Sequence, residues 1–87
     1  MEIDFKRLEI FDGVAHRSCT VVDVREPFAD VIYQHGNGVA AHALALKIYN
    51  SQGPTQYSEQ EVELIRRSAG LCSPAFMDAV QAVTQAK

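Results

Sequence analysis

Hydrophobic and polar positions divide the chain into an N-terminal part with a period of two and a longer part with helical spacing. In residues 2–11 apolar side chains alternate with polar ones, apart from one slip in phase at Lys6-Arg7. Such alternation is typical of a half-buried strand, and a bulge at Lys6-Arg7 brings all the apolar side chains onto one face. The β-branched residues that follow predict a second strand over residues 14–24.

The dipeptide Asp12-Gly13 predicts a tight hairpin turn between these two strands, because both central positions of such a turn favour residues that tolerate positive φ. With the bulge included, the expected cross-strand pairs are Ile10 with Ala15, Leu8 with Arg17, Phe5 with Cys19 and Ile3 with Val21. A two-stranded ribbon is not stable alone, so we expect helices or another subunit to cover its apolar face.

Four later segments have the spacing of apolar positions that predicts helices. They span residues 26–35, 39–50, 59–69 and 74–86. A third strand over residues 29–33 is the rival interpretation of the first segment, since the run DVIY has β-propensity.

Capping signals mark the starts of several helices. Asp23 with Glu26, and Ser58 with Glu61, have the three-residue separation of a capping box. Ser73-Pro74 fits the N-cap and first position of the last helix.

The segment VAAHALALKIYN, residues 39–50, is apolar at nearly every bearing around a helix axis. A helix of that kind is typically buried on several sides, so we expect it to be the central helix. The sequence therefore predicts an α+β fold in a single domain, residues 1–87, with an N-terminal β-hairpin packed on three to four helices.

Composition narrows the function classes. The 87 residues carry a net charge of −3 and show no basic face, which argues against a nucleic-acid partner. The N-terminus does not resemble a signal peptide, and no apolar run approaches a membrane span, so a cytoplasmic protein with no membrane contact is expected. Cys19 and Cys72 lie in apolar surroundings and are predicted to be buried, reduced thiols.

Candidate chemistry centres on the three histidines. None has the spacing of a metal ligand set, and the hairpin register places His16 where it can pair with Glu9. An enzyme would need two of five side chains to converge, namely His16, His35, His42, Cys19 and Asp30. We expect no catalytic, cofactor or metal site, and hence a non-enzymatic protein.

Two further motifs suggest anion or DNA binding. Gly36-Asn37-Gly38 precedes a helix but lacks the known phosphate-loop patterns, and it predicts a helix C-cap followed by a tight turn. The last two helices have helix-turn-helix spacing with Gly70 in the turn. The would-be recognition helix has no Lys or Arg and contains Asp78, so a DNA-associated regulator using residues 59–86 is the second hypothesis.

Aromatic residues near helix ends indicate a protein interface, because a phenol can bury its ring there and keep its hydroxyl wet. The predicted interface residues are Tyr33, His42, Tyr49 and Tyr57. The first hypothesis is therefore a small protein that acts through protein–protein contact or self-assembly, with another protein or a second copy as its partner in a homo-oligomer.

The run ALALKIYNSQGPTQYSEQEVELI resembles small uncharacterised bacterial proteins of the kind found in prophage regions. The similarity covers roughly residues 26–70. It implies a bacterial or phage cytoplasmic origin and no enzymatic role.

Overall fold

The α+β architecture is present in the structure, a computed structural model that describes residues 1–84. In chain order the elements are β1 (Glu2–Ile3), β2 (Leu8–Phe11), β3 (Cys19–Val22), α1 (Arg25–His35), α2 (Gly38–Tyr49), β4 (Thr55–Gln56), α3 (Glu59–Ala69) and α4 (Pro74–Thr84). The prediction of four helices is confirmed, and the rival strand at residues 29–33 is wrong. The predicted end of the last helix, residues 85–86, lies outside the described residues. Within residues 1–84, every helix falls short of the length and apolarity needed to cross a membrane.

The N-terminal hairpin forms with a register different from the expected one. β2 pairs antiparallel with β3, so Leu8 lies opposite Val22 rather than opposite Arg17. The connection spans residues 12–18, and the predicted two-residue turn at Asp12-Gly13 is wrong. The Asp12 carboxylate explains the wider loop, because it accepts hydrogen bonds from Ser18 Oγ at 3.0 Å and Thr20 Oγ1 at 2.9 Å.

β1 leaves the hairpin and pairs with β4 instead, with Glu2 opposite Gln56. A turn between Asp4 and Arg7 replaces the predicted bulge, and in it the Arg7 N–H donates to the Asp4 carbonyl at 3.3 Å. Beyond the strand pair, the Tyr57 N–H donates to the Met1 carbonyl at 2.8 Å, and the Met1 amino group donates to the Tyr57 carbonyl at 3.0 Å. This pairing carries the N-terminal segment into the core.

An aromatic cluster lies at the centre of the core. The ring centroid of Phe28 is 5.4 Å from that of Phe5 and 4.9 Å from that of Phe76, and Phe5 meets Tyr57 edge-on at 5.7 Å. All four helices contribute buried apolar side chains, but the four residues of β3 are all exposed. The helices therefore pack on β2, whereas β3 remains exposed to solvent.

α2 is buried along one face rather than on several sides, so that expectation is wrong. Its buried residues have the i, i+3, i+4, i+7 spacing of a single helix face; they are Ala41, Leu44, Ala45 and Ile48. The remaining bearings face solvent because α1 packs on this side of the helix.

The helix starts match one of the two predicted capping boxes. At α3 the Ser58 N–H donates to Glu61 Oε1 at 2.8 Å and the Glu61 N–H donates to Ser58 Oγ at 3.2 Å, which confirms that box. At α1 the Asp23–Glu26 box is wrong. Asp23 instead accepts from the Arg25 N–H at 3.1 Å and from the Arg25 guanidinium, so Val24 takes the N-cap position without a side-chain cap.

Candidate functional site

The solvent-facing side of α2 carries a straight apolar stripe. It consists of Val39, His42, Leu46 and Tyr49 and is called the α2 stripe below. Val39 is 85% exposed, Tyr49 52% and Leu46 48%, and His42 is exposed as well. Separations of three, four and three residues align these side chains along the helix, as in the seam of a coiled coil.

Tyr33 on α1 extends the α2 stripe sideways. Its ring is 64% exposed, and its centroid lies 5.8 Å from the His42 ring at an interplanar angle of 45°. The two helices approach closely at Gly36, where an added Cβ would lie 2.6 Å from the Ala41 Cβ. The short connection therefore brings residues of both helices onto one exposed surface.

Charge is absent from the α2 stripe apart from the ionisable His42. The only Lys, Arg, Asp or Glu of α2 is Lys47, which turns towards α3 and bonds Glu61 at 2.9 Å. Its Nζ also lies 4.7 Å from the Tyr57 ring centroid, a cation–π distance. The exposed side of α2 is consequently apolar without a charged residue to keep it solvated.

Three of the four predicted interface residues lie on this surface, namely Tyr33, His42 and Tyr49. The expectation of an exposed Tyr57 is wrong, because this residue is 3% exposed and packs against Phe5. Val39 and Leu46 were not predicted, although their three- and four-residue separations from His42 and Tyr49 are visible in the sequence. Because the helix is apolar at nearly every bearing, the sequence does not show which of its faces is exposed.

A polar cleft adjoins the stripe at Tyr49. It has a volume of about 490 Å³, and Asp23 and Arg25 line it. Hydrogen bonds from the Arg25 guanidinium hold the pKa of the Asp23 carboxyl below its ordinary value, and Arg25 Nη1 also donates to the Ser51 carbonyl at 2.7 Å. These charges satisfy each other and join the start of α1 to the end of α2, which is a structural role.

The histidines have separate neighbours. His16 pairs with Asp78 at 3.0 Å and stacks on Phe11 with 4.0 Å between ring centroids, so the predicted pairing with Glu9 is wrong. His42 lies against Tyr33, whereas His35 lines a different cleft. In the described part of the chain, no three or more His, Cys, Asp or Glu side chains form a group that could hold a metal ion.

Both cysteine thiols have a raised pKa. Cys19 is exposed on β3, and its predicted burial is wrong. Partial desolvation and the Glu9 and Asp12 carboxylates raise the pKa of its thiol, and burial raises the pKa of the partly buried Cys72 thiol. A raised thiol pKa lowers the thiolate fraction at neutral pH, and the thiolate is the reactive form.

The α3–α4 pair is held together by a basic residue. Arg66 Nε donates to Thr84 Oγ1 at 2.9 Å, and the same guanidinium also bonds the Thr84 carbonyl. α4 itself packs against β2 and has no Lys or Arg among its eleven residues. The arrangement gives α4 a packing role and no basic side chain with which to contact phosphate.

No family model matches the chain, and neither a curated protein nor a solved structure matches it. The resemblance to prophage-type proteins stays a prediction.

Proposed function

We propose that this chain is a small non-enzymatic protein that self-assembles, and that its α2 stripe binds the α2 stripe of a second copy. The supporting observation is an uncharged apolar seam with coiled-coil spacing on the exposed face of α2. Exposed apolar patches of this kind mark protein interaction sites.

A second copy suits the stripe because the stripe is complementary to itself. In heptad positions, Val39 and Leu46 take a, and His42 and Tyr49 take d. When two such helices pack antiparallel about a two-fold axis level with Leu44, each a residue faces a d residue. Val39 then lies opposite Tyr49 of the partner subunit, and Leu46 lies opposite His42 of the partner subunit.

Small side chains beside the stripe favour close packing. Ala40 and Ala43 are exposed next to it and let a second helix approach. Tyr33 flanks the seam and adds aromatic area, which is enriched in interfaces. Because the seam from Val39 to Tyr49 spans only about one and a half heptads, we expect a dimer whose population depends on protein concentration.

The test is the mass in solution over a range of protein concentrations, by sedimentation velocity and light scattering. We expect the wild type to shift from monomer to dimer and Leu46→Glu to remain monomeric. The matched control is Met77→Glu, an exposed position on α4, which should dimerise like the wild type. A wild type that is monomeric throughout, or equal dissociation of both variants, would overturn the proposal.

Crosslinking tests the antiparallel arrangement. Val39→Cys combined with Tyr49→Cys, with the two native cysteines changed to Ser, should give a disulfide-linked dimer on mild oxidation. Ten residues of helix separate the two positions by about 15 Å, so a bond within one chain is excluded. A parallel dimer would instead crosslink through either single variant as efficiently as through the double variant.

The proposal includes a reducing compartment, the cytoplasm. Cys19 and Cys72 are free thiols, and Cys19 is exposed, which supports this location. A DNA-associated role for α3 and α4 has weaker support, since Arg66 is occupied by Thr84 and α4 carries no basic residue.

A further inference from the structure

A cleft of about 300 Å³ lies between the turn that joins α1 to α2 and the C-terminal half of α3. Its apolar walls come from one residue of each of three helices and from Leu71, which lies just after α3. The helical residues are Ile32 on α1, Ala41 on α2 and Leu64 on α3. The cleft lies on the buried side of α2 and does not include the α2 stripe. It is therefore independent of the proposed dimer.

Polar groups capable of donating hydrogen bonds border this apolar space. His35 and Asn37 line it from the α1–α2 turn, and Arg67 and Ser68 line it from α3. The Asn37 side chain makes no capping hydrogen bond to α2, although Asn37 is the N-cap residue. Arg67 gives one nitrogen to Glu63 at 3.1 Å, which leaves its other N–H groups available.

Ser68 adds a hydroxyl to these groups. Its side chain is buried, with 9% of the residue exposed, and it lines the cleft. As a hydroxyl that lines the cleft, it is able to donate a hydrogen bond to a polar atom of a bound molecule.

We propose that this cleft binds a small molecule with an apolar body and a carboxylate head. The apolar walls match the body, and the head fits the donors of Arg67, Asn37 and Ser68. Charge complementarity favours an anion, because among residues 1–84 the cleft is lined by the bases His35 and Arg67 and by no Asp or Glu. Arginine also matches the planar geometry of a carboxylate.

In this cleft the Gly36-Asn37-Gly38 turn lies beside residues of α3 that are distant in sequence. Gly36-Asn37-Gly38 alone has no phosphate-binding pattern. In the fold it lies beside Arg67 and Ser68, about thirty positions later, which supply the charge and the hydroxyl that the motif lacks.

The experiment is a titration of the ¹⁵N-labelled full chain with octanoate, followed by amide chemical shifts. We expect saturable shifts at Asn37, Ala41, Ser68 and Leu71. Octanol should bind more weakly than octanoate. Octylammonium should not saturate because it lacks the anionic head, and inorganic phosphate should not saturate because it lacks the apolar body. Equal binding of octanoate and octylammonium would overturn the proposal, as would the absence of saturable shifts at these amides.

Variants separate a specific site from adsorption to apolar surface. Arg67→Gln, at an exposed side chain, should weaken octanoate binding about tenfold, the loss typical of one charge-assisted hydrogen bond. Arg17→Gln removes an exposed cation outside the cleft and should leave the affinity unchanged. Unchanged binding in Arg67→Gln, or shifts confined to the α2 stripe, would overturn the site without affecting the test of self-assembly.

Discussion

Lys47 on α2 and Glu61 on α3 form an ion pair in which one Nζ contacts both carboxylate oxygens, at 2.9 and 3.2 Å. The same carboxylate accepts the Ser58 N–H that opens α3. A single side chain thus caps one helix and ties it to another.

Replacing Glu61 should therefore change both stability and its pH dependence. Burial acts to raise the pKa of Glu61, but the hydrogen bond from Ser58 and the charge of Lys47 outweigh it, so the folded pKa lies below the ordinary 4.5. A lowered folded pKa means that the ionised carboxylate stabilises the fold above the unfolded pKa, and that this contribution is lost as pH falls through the folded value. We expect Glu61→Gln to lower the free energy of unfolding by about 1 kcal/mol at neutral pH and to flatten its decline in acid.

Urea unfolding at a series of pH values measures this effect. Glu63→Gln is the matched control, because it removes the same charge from a pair with Arg67 that is about 70% exposed at both side chains. Its effect should stay within about 0.5 kcal/mol. Equal losses in the two variants would show that the cap and the Lys47 contact add no measurable free energy of unfolding beyond that of an exposed ion pair.

Two glycines provide a matched test of helix packing. An added Cβ at Gly36 would lie 2.5 Å from the Ile32 carbonyl oxygen and 2.6 Å from the Ala41 Cβ, whereas at Gly13 it would meet nothing within 4 Å. We expect Gly36→Ala to destabilise the fold by about 2 kcal/mol through overpacking. Gly13→Ala should be neutral or stabilise by about 0.5 kcal/mol, since it restricts the unfolded chain. Thermal unfolding followed by circular dichroism distinguishes them, and a tolerated Gly36→Ala would contradict the close α1–α2 approach.

The hydroxyl of Tyr57 is buried and has no hydrogen-bond partner among residues 1–84. It lies near the side chains of Ser51 and Thr55, yet neither meets it in hydrogen-bonding geometry, and burial raises the pKa of the phenol above 10.0. Removing a buried unpaired hydroxyl relieves a desolvation cost, so Tyr57→Phe should leave stability unchanged or raise it by about 1 kcal/mol. Guanidinium unfolding measures this, with Tyr57→Ala, expected to cost about 3 kcal/mol, as the reference for lost packing. A loss above 1 kcal/mol in Tyr57→Phe would mean that the hydroxyl has a partner.

Cys19 should react slowly with alkylating reagents despite its exposure. Its Sγ lies 3.8 Å from Glu9 Oε2, and partial desolvation with the nearby carboxylates raises the pKa of the thiol. In a chain with Cys72→Ser, iodoacetamide should modify Cys19 more slowly than a short thiol peptide at the same pH, and Glu9→Gln should increase the rate several-fold. Glu2→Gln, on a different sheet, serves as the control and should not alter the rate. A Cys19 as fast as the peptide would contradict this electrostatic environment.

The helices could be predicted from sequence because their signals are local. Ser58 and Glu61 lie one turn apart, and the inner face of α3 repeats at helical spacing, so both the start and the orientation of that helix follow from neighbouring residues. The same spacing at Asp23 does not give a capping box, because Arg25 binds the carboxylate that would otherwise cap α1. The partner of the Asp23 carboxylate is set by the position of the Arg25 side chain, which also bonds the Ser51 carbonyl. That tertiary contact is not visible in the local sequence.

Strand pairing could not be predicted, because it joins residues distant in sequence. The expected register placed Arg17 opposite the buried Leu8, whereas the observed register places Val22 there. The longer loop is held by Asp12 and by the contact of His16 with Asp78 on α4, and His16 adopts a φ of 55° in it. A two-residue strand such as β1 has no periodicity from which its partner could be inferred.

The candidate interface was predicted in part. Tyr33, His42 and Tyr49 are aromatic or ionisable residues on or near an apolar helix, and the fold exposes all three. Leu46 and Val39 were missed because a helix apolar at every bearing does not reveal which face its neighbours cover. That choice depends on where α1 and α3 pack.

The pairing of β1 with β4 has a consequence for synthesis on the ribosome. Met1 and Tyr57 exchange hydrogen bonds although they are 56 positions apart, so β1 leaves the ribosome well before its partner strand β4. Contacts of such long sequence separation form late because a large loop must close first. During translation Ile3 therefore remains exposed after α1 and α2 have been made.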